Sequence, residues 1–168
     1  MELQIRTENP GDIDAIHRVT EQAFRDAPHT DHNEQFIVAA LRRAGALTLS
    51  LVAEADKKVI GHVAISPVSV SDGARGWFGL GPISVLPEFQ QQGVGSRLMQ
   101  RALADLEGMG AAGCVVLGDP GYYGRFGFQA VEGLIYPGVP PEYFQARVFT
   151  GKFPQGEVAY HRAFSAQS

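Results

Sequence analysis

Hydrophobic positions recur along this chain in two rhythms, and the switches between them mark its elements. Residues 2–7 alternate, with Leu3 and Ile5 on one face, which predicts a strand. Asn9-Pro10-Gly11-Asp12 reads as a turn. Asp12 is placed to cap a helix on which Ile13, Ile16, Val19 or Thr20, and Phe24 fall at helical spacing. Residues 26–33 are polar, carry Pro28, His29 and His32, and predict a loop. Asn33 then caps a second helix with Phe36, Ile37, Ala40 and Leu41 on one face, ended by Gly45. Strands are predicted over 47–54, 59–70 and 77–85, separated by turns at 55–58 and 71–74. Gly61 and Pro67 interrupt the second of these, and the third is glycine-rich and carries Pro82. The three form an antiparallel meander.

The rhythm then changes. Residues 95–108 are strongly amphipathic, with Leu98, Met99, Ala102, Leu103 and Leu106 on the apolar face of a helix. A short apolar strand follows at 113–117, and strand–helix–strand implies a crossover to a parallel neighbour. Asp119-Pro120 has the form of an N-cap followed by proline in the first helical position. Later strands are expected at 129–135, 144–150 and 158–163, with a loop at 137–141. No repeat or linker interrupts the chain, so the expectation is one mixed α/β domain over 1–168.

Composition narrows the function classes. The chain is 45% hydrophobic and 19% charged, as expected of a globular protein. Net charge is −4, which argues against a nucleic-acid binder. Local basic patches stand at Arg42-Arg43, Lys57-Lys58 and Arg97/Arg101. The one cysteine, Cys114, excludes an intramolecular disulfide. It lies within the apolar Gly-Cys-Val-Val-Leu run, with no adjacent base to activate it, so it reads as a small buried hydrophobe. No apolar run approaches the roughly 20 residues of a membrane span, and the first residues carry no hydrophobic signal region. The chain is therefore expected in the cytoplasm, away from membranes.

The most informative stretch is Ile83-Ser84-Val85-Leu86-Pro87-Glu88-Phe89-Gln90-Gln91-Gln92-Gly93-Val94-Gly95-Ser96-Arg97-Leu98. A strand ends, the chain turns over glycines, and a helix begins. The first turn of a helix has amides with no intrahelical partner, and its dipole favours negative charge. Glycine lets a ligand approach the backbone, so the corner is suited to a phosphate or pyrophosphate. No Lys-Ser or Lys-Thr follows, so it is not a Walker loop. Leu98 stands where a dinucleotide fingerprint needs its third glycine.

Gln90-Gln91-Gln92-Gly93-Val94-Gly95, led in by Val85-Leu86-Pro87-Glu88-Phe89, resembles the signature of the GNAT acetyltransferases, Gln/Arg-x-x-Gly-x-Gly/Ala after the strand that carries the thioester. The resemblance implies the GNAT acyl-CoA N-acyltransferase fold, a mostly antiparallel splayed sheet with helices on both faces, and acetyl-CoA as cosubstrate. It implies that amides from Gln91 to Ser96 hold the coenzyme pyrophosphate. The strand Ile83-Ser84-Val85 would receive the pantetheine arm, with the Ile83 and Val85 backbone pairing to it. One strand later, Tyr123 to Phe128 resembles the family's Tyr-x-x-x-Gly-Phe, which implies Tyr123 as the acid that protonates the leaving thiolate. Many members have an asparagine and a longer helix before this tyrosine. Here Gly118-Asp119-Pro120-Gly121 makes a shorter entry. That entry, with Tyr122-Tyr123 and Arg125-Phe126-Gly127-Phe128, looks like the YhbS-like branch. The resemblance spans roughly residues 3–130.

An amine must be neutral to attack a thioester, so a base is expected. Candidates are Glu34, Glu54, His62 and Glu88, and His62 is the favoured one because its ordinary pKa near 6.5 suits the task. Each also has a plainer reading, as a helix cap, a solvated charge or a buried hydrogen-bonding group. His29 and His32 with Asp31 are too sparse for a metal site, so none is expected. By the resemblance, the loop between the first two helices lines the acceptor site, where Asp26, Asp31 and Glu34 could receive a small-molecule or peptide amine. A catalytically idle acyl-CoA-binding or regulatory module on the same fold is the alternative. The apolar C-terminal strands either complete the fold or pair with a second chain, so a monomer and a homodimer both fit.

Overall fold

The computed structural model describes residues 2–28 and 30–168, and His29 lies outside the described residues. The chain divides into two compact units. One comprises Met1–Ile65, Gly81–Ala102 and Arg162–Ser168, the other Ser66–Leu80 and Leu103–His161.

In the first unit, β1 (Leu3–Thr7) pairs antiparallel with β2 (Leu49–Ala55), from Leu3 opposite Ala55 to Thr7 opposite Leu51. The Glu8 amide extends the pairing by donating to the Ser50 carbonyl at 2.9 Å. β2 pairs antiparallel with the first part of β3 (Lys58–Val70), with an irregularity between Ala53 and Glu54. The turn between them has φ of 50° at Asp56 and 66° at Lys57, the double left-handed pattern that matches strand twist in a tight hairpin. The end of β4 (Trp77–Val85) follows β3, and the Leu86 amide donates to the Ile60 carbonyl at 2.9 Å. Helices α1 (Ile13–Phe24) and α2 (Glu34–Arg43) pack on each other, with the His17 and Phe36 rings edge to face at 5.9 Å. The first part of α3 (Val94–Gly108) buries Val94, Leu98, Met99 and Ala102. Its Arg97 and Arg101 guanidiniums donate to the Leu3 and Ile5 carbonyls of β1 at 3.0 and 3.1 Å. The supposed basic patch is thus a brace along an edge strand.

Two expected caps differ. Asn9, not Asp12, caps the entry to α1: its side chain accepts from the Gly11 amide at 3.0 Å, over a 3-10 turn at Pro10–Asp12. The Asp12 carboxylate instead accepts from the Asn9 amide and from Arg6, both at 2.8 Å. Arg6 also reaches Glu54 at 2.9 Å. Asn33 has φ −112° and ψ 6°, outside the extended region from which a cap side chain reaches the first amides. Its backbone carbonyl receives the Phe36 and Ile37 amides, while its side chain donates to the Ala166 carbonyl at 2.9 Å.

In the second unit, β4 runs parallel to β5 (Gly113–Leu117), with Trp77 opposite Gly113, as the crossover predicts. β5 pairs antiparallel with β7 (Phe144–Val148). The last part of β3 pairs antiparallel with β8 (Gly156–Tyr160), which runs parallel to the two-residue β6 (Leu134–Ile135). The hydrogen-bonded order is β1-β2-β3-β4-β5-β7, a mixed and mostly antiparallel sheet, as expected. Val70, Trp77, Val115, Leu134, Phe144, Ala146 and Val158 form this unit's core. Cys114 is fully buried in β5, where burial raises its thiol pKa well above the ordinary range.

The expected strand over 129–135 is largely absent. Gln129 bridges Ala146, but the Leu134 amide then turns back to the Val131 carbonyl, leaving only β6. The last predicted strand also ends early. β8 stops at Tyr160, and Arg162–Ser165 form a 3-10 turn that inserts Ala163 against Ile37 and Leu41 of the first unit. Among the described residues no helix is long and apolar enough to cross a membrane.

Candidate active site

The glycine turn lies wholly in the first unit. After β4, a 3-10 turn at Pro87–Phe89 leads to Gln90, whose side-chain amide donates to the Val85 carbonyl at 3.0 Å. The Gln92 side chain closes the loop onto the Glu88 carbonyl at 3.1 Å. The chain then passes through left-handed conformations at Gln91 (φ 63°) and Gly93 (φ 85°) before α3 begins at Val94. The Gly93 carbonyl accepts the first helical bond, from Arg97 at 3.1 Å. A Cβ on Gly93 would meet nothing within 4 Å, so this side of the turn is open. Val94 points its side chain into the core, while Gly95 and Ser96 are half-buried at the helix start. The amides of that first turn have no intrahelical acceptor and lie at the positive end of a four-turn helix. The segment can therefore cradle a polyanion with backbone alone.

The strand before the turn alternates. Pro82, Ser84 and Leu86 are buried, while Ile83 and Val85 are half-buried and Gly81 precedes a cis bond to Pro82. The Val85 carbonyl, at the end of this strand, is the one held by the Gln90 side chain. Ser84 Oγ is buried and has no hydrogen-bond partner.

His62 on β3 is fully buried, and burial, then the Arg42 charge, push its pKa down to about 3. Its Nε2 lies 2.8 Å from Ser50 Oγ on β2. Ser50 in turn donates to the Glu8 carboxylate, which also accepts from Arg42 Nη2 at 2.6 Å. His62 Nδ1 has no partner. The sequence singles out His62 but gives no sign of its hydrogen-bonded partners Ser50 and Glu8, 12 and 54 residues away.

The other acids are placed differently. Glu34 opens α2, accepts from Thr30 Oγ through one oxygen, and buries the other without a partner. Glu54 is paired with Arg6. Glu88 is exposed. His32 lines a small cavity of about 210 Å³ with Glu21, Phe24, Arg25 and Gln35.

In the second unit, Asp119 caps α4 (Pro120–Tyr123), its carboxylate accepting from the Gly121 amide at 2.9 Å. The predicted N-cap and first-position proline are in place. Tyr123 ends this helix in an aromatic nest, edge to face with Tyr122 at 5.0 Å and with Phe128 at 6.1 Å. Burial, then Tyr122, raises its phenol pKa to about 12, so the group is a proton carrier at neutral pH. Its ring lies over Gly118, where a Cβ would come within 2.4 Å of Tyr123 Cε2. The Gly118 carbonyl receives the side-chain amide of buried Gln145 at 3.1 Å. Arg125 stacks its guanidinium over Tyr122, 4.5 Å from the ring centre, a structural use of the charge.

Comparison with known proteins gives a consistent result. The profile of the acetyltransferase (GNAT) family matches residues 13–128. The N-acetyltransferase YhbS of Escherichia coli (strain K12) is 39% identical over 128 residues, 76% of this chain and 74% of that protein. A crystal structure of a GNAT family acetyltransferase from Brucella melitensis in complex with acetyl-CoA is 51% identical, with a TM-score of 0.88 over 98% of this chain and 99% of that one. YhbS from Escherichia coli in complex with CoA is 34% identical, with a TM-score of 0.88 over 100% of this chain and 94% of that one. The open glycine turn, the Tyr123 nest and these likenesses converge: the chain belongs to the GNAT family and is an acetyltransferase, with YhbS among its relatives.

Proposed function

We propose that residues 1–168 form one catalytic domain that moves the acetyl group of acetyl-CoA directly to a primary amine, on a small molecule or a peptide. The observation that carries this reading is the open backbone turn from Gln90 to Ser96 at the N-terminus of α3. Its support from relatives is that two similar proteins were crystallised with acetyl-CoA or CoA. Amides from Gln91 to Ser96 hold the pyrophosphate, Ile83, Ser84 and Val85 receive the pantetheine arm, and a β4 amide polarises the thioester carbonyl. Tyr123 supplies the proton to the departing thiolate, for which a phenol kept protonated by burial is suited. His62 serves the amine side of the reaction. The one cysteine, buried and unpaired, fits work in the reducing cytoplasm.

The first test is thermal stabilisation of the pure protein by acetyl-CoA, with succinyl-CoA and ATP as controls. A ligand at ~100 times its Kd adds about 2.7 kcal/mol to the folded state, a shift of several degrees. Absence of any shift, with no binding by calorimetry, overturns the coenzyme site. Tyr123→Phe then separates catalysis from binding: turnover falls at least about tenfold while acetyl-CoA affinity is kept. A parent that binds acetyl-CoA but turns over no amine in a panel of spermidine, phenylethylamine and lysyl peptides is a coenzyme-binding module instead.

A further inference from the structure

The hydrogen-bonded chain from Arg42 to His62 fixes its own proton positions. Glu8, paired with Arg42, is an ionised acceptor, so the hydrogen bond between Glu8 and Ser50 must use the single serine proton. Ser50 Oγ can then only accept from His62, which makes His62 Nε2 the protonated nitrogen. The other nitrogen, Nδ1, is left as a bare lone pair, buried and without a partner. On the neighbouring strand β4, Ser84 Oγ is likewise buried without a partner. A lone pair and a hydroxyl left unmatched inside a sheet are costly unless a bound molecule uses them. The outer end of the chain is wetter: the Glu8 and Arg42 side chains keep 18% and 24% of their exposure.

We propose that His62, Ser50 and Glu8 form a proton relay that carries the proton released by the acceptor amine from the β3–β4 region to the protein surface, with Arg42 holding its outer end. This rests on the acetyltransferase reading above. As the amine nitrogen bonds to the acetyl carbon and the carbon–sulfur bond breaks, the electron pair leaves with sulfur, which takes the Tyr123 proton, and the phenolate regains a proton from solvent. The amine's surplus proton reaches His62 Nδ1 through water, since the ring itself has no exposed surface. The Nε2 proton passes to Ser50, and the serine proton to the Glu8 carboxylate, which releases it to solvent. His62 exchanges tautomers and is neutral before and after, and proton exchange with water restores the Nε2–H form before the next turnover, so a ring too buried to hold a charge still transmits a proton. Ser50 and Glu8 act through His62 and are positioning residues; among the described residues the other charge acting on the ring is Arg42 of α2.

Nitrogen-15 NMR of histidine-labelled protein at pH 7 tests the chain without any acceptor. The expected spectrum shows His62 neutral with Nε2 protonated, and Ser50→Ala loses that bias. An Nδ1-protonated ring, an imidazolium, or a spectrum indifferent to Ser50→Ala overturns the proposal. Kinetics test the role. With the amine of the panel above that the parent acetylates, Ser50→Ala and Glu8→Gln lower kcat at least about tenfold, with acetyl-CoA affinity within about twofold. Ser50→Thr, which restores the hydroxyl, recovers most of the loss. An unchanged kcat in Ser50→Ala, or no recovery in the threonine variant, overturns it. If no amine is acetylated, the parent function fails while the tautomer measurement still judges the chain.

Discussion

At the residue scale, Gly118 shows how little room the Tyr123 ring has. Tyr123 lies where a side chain at 118 would be, and Gly118 has φ of 157°, which side-chain-bearing residues rarely adopt. Gly118→Ala should displace the phenol ring, lowering kcat about tenfold or more while acetyl-CoA affinity holds within about threefold. Steady-state kinetics beside calorimetry separates the two, and an unchanged kcat would show that the ring is not held at the chemistry. The short helix that ends at Tyr123 was legible because its cap, Asp119-Pro120, is local. His62 was legible as a residue, but its neutrality was not. An ordinary histidine suggests a base near neutral pH, whereas full burial beside Arg42 makes this one a poor holder of charge.

At the element scale, the corner between β4 and α3 is set by backbone alone. Gly93 is left-handed and faces open space, so Gly93→Ala adds no clash but costs about 1 kcal/mol of conformational strain. Its methyl group would stand on the open side of the turn, and acetyl-CoA affinity should fall several-fold. Urea unfolding and calorimetry check both effects; full affinity would mean that the coenzyme does not approach there. The periodic segments were readable: α1, α2, α3 and strands β1 to β5 lie within a few residues of expectation. So was β7, but the strand expected over 129–135 and the end of the last strand were not, because their edges depend on distant partners. Val131 and Leu134 close a turn, and the segment after Tyr160 leaves the sheet because Ala163 finds a place against Ile37 and Leu41. The Asp12 cap failed for a related reason: its carboxylate is claimed by Arg6, which a local pattern cannot foresee.

At the scale of the whole molecule, these buried polar groups make stability depend on acid. The native state holds His62 neutral down to about pH 3, whereas the unfolded chain protonates it near 6.5. Stability is therefore lost as pH falls through that window, by up to about 1.4 kcal/mol per unit. The Arg6 hydrogen bonds depress the Asp12 pKa, so that pair adds stability above the unfolded carboxylate pKa and loses it on further acidification. Urea midpoints at pH 7, 6, 5 and 4 should fall steadily, and His62→Gln, which keeps a donor toward Ser50, should flatten the upper part of the curve. A parent midpoint constant from pH 7 to 5 would contradict this. Cys114 has a practical consequence at the same scale. It is the chain's single cysteine, fully buried, with its thiol pKa pushed up. A colorimetric disulfide reagent added to a reaction therefore responds to the coenzyme thiol set free and not to the folded enzyme. Without coenzyme, the same reagent becomes a clock for opening of β5, since each labelled molecule must first have exposed the sulfur that the sheet encloses.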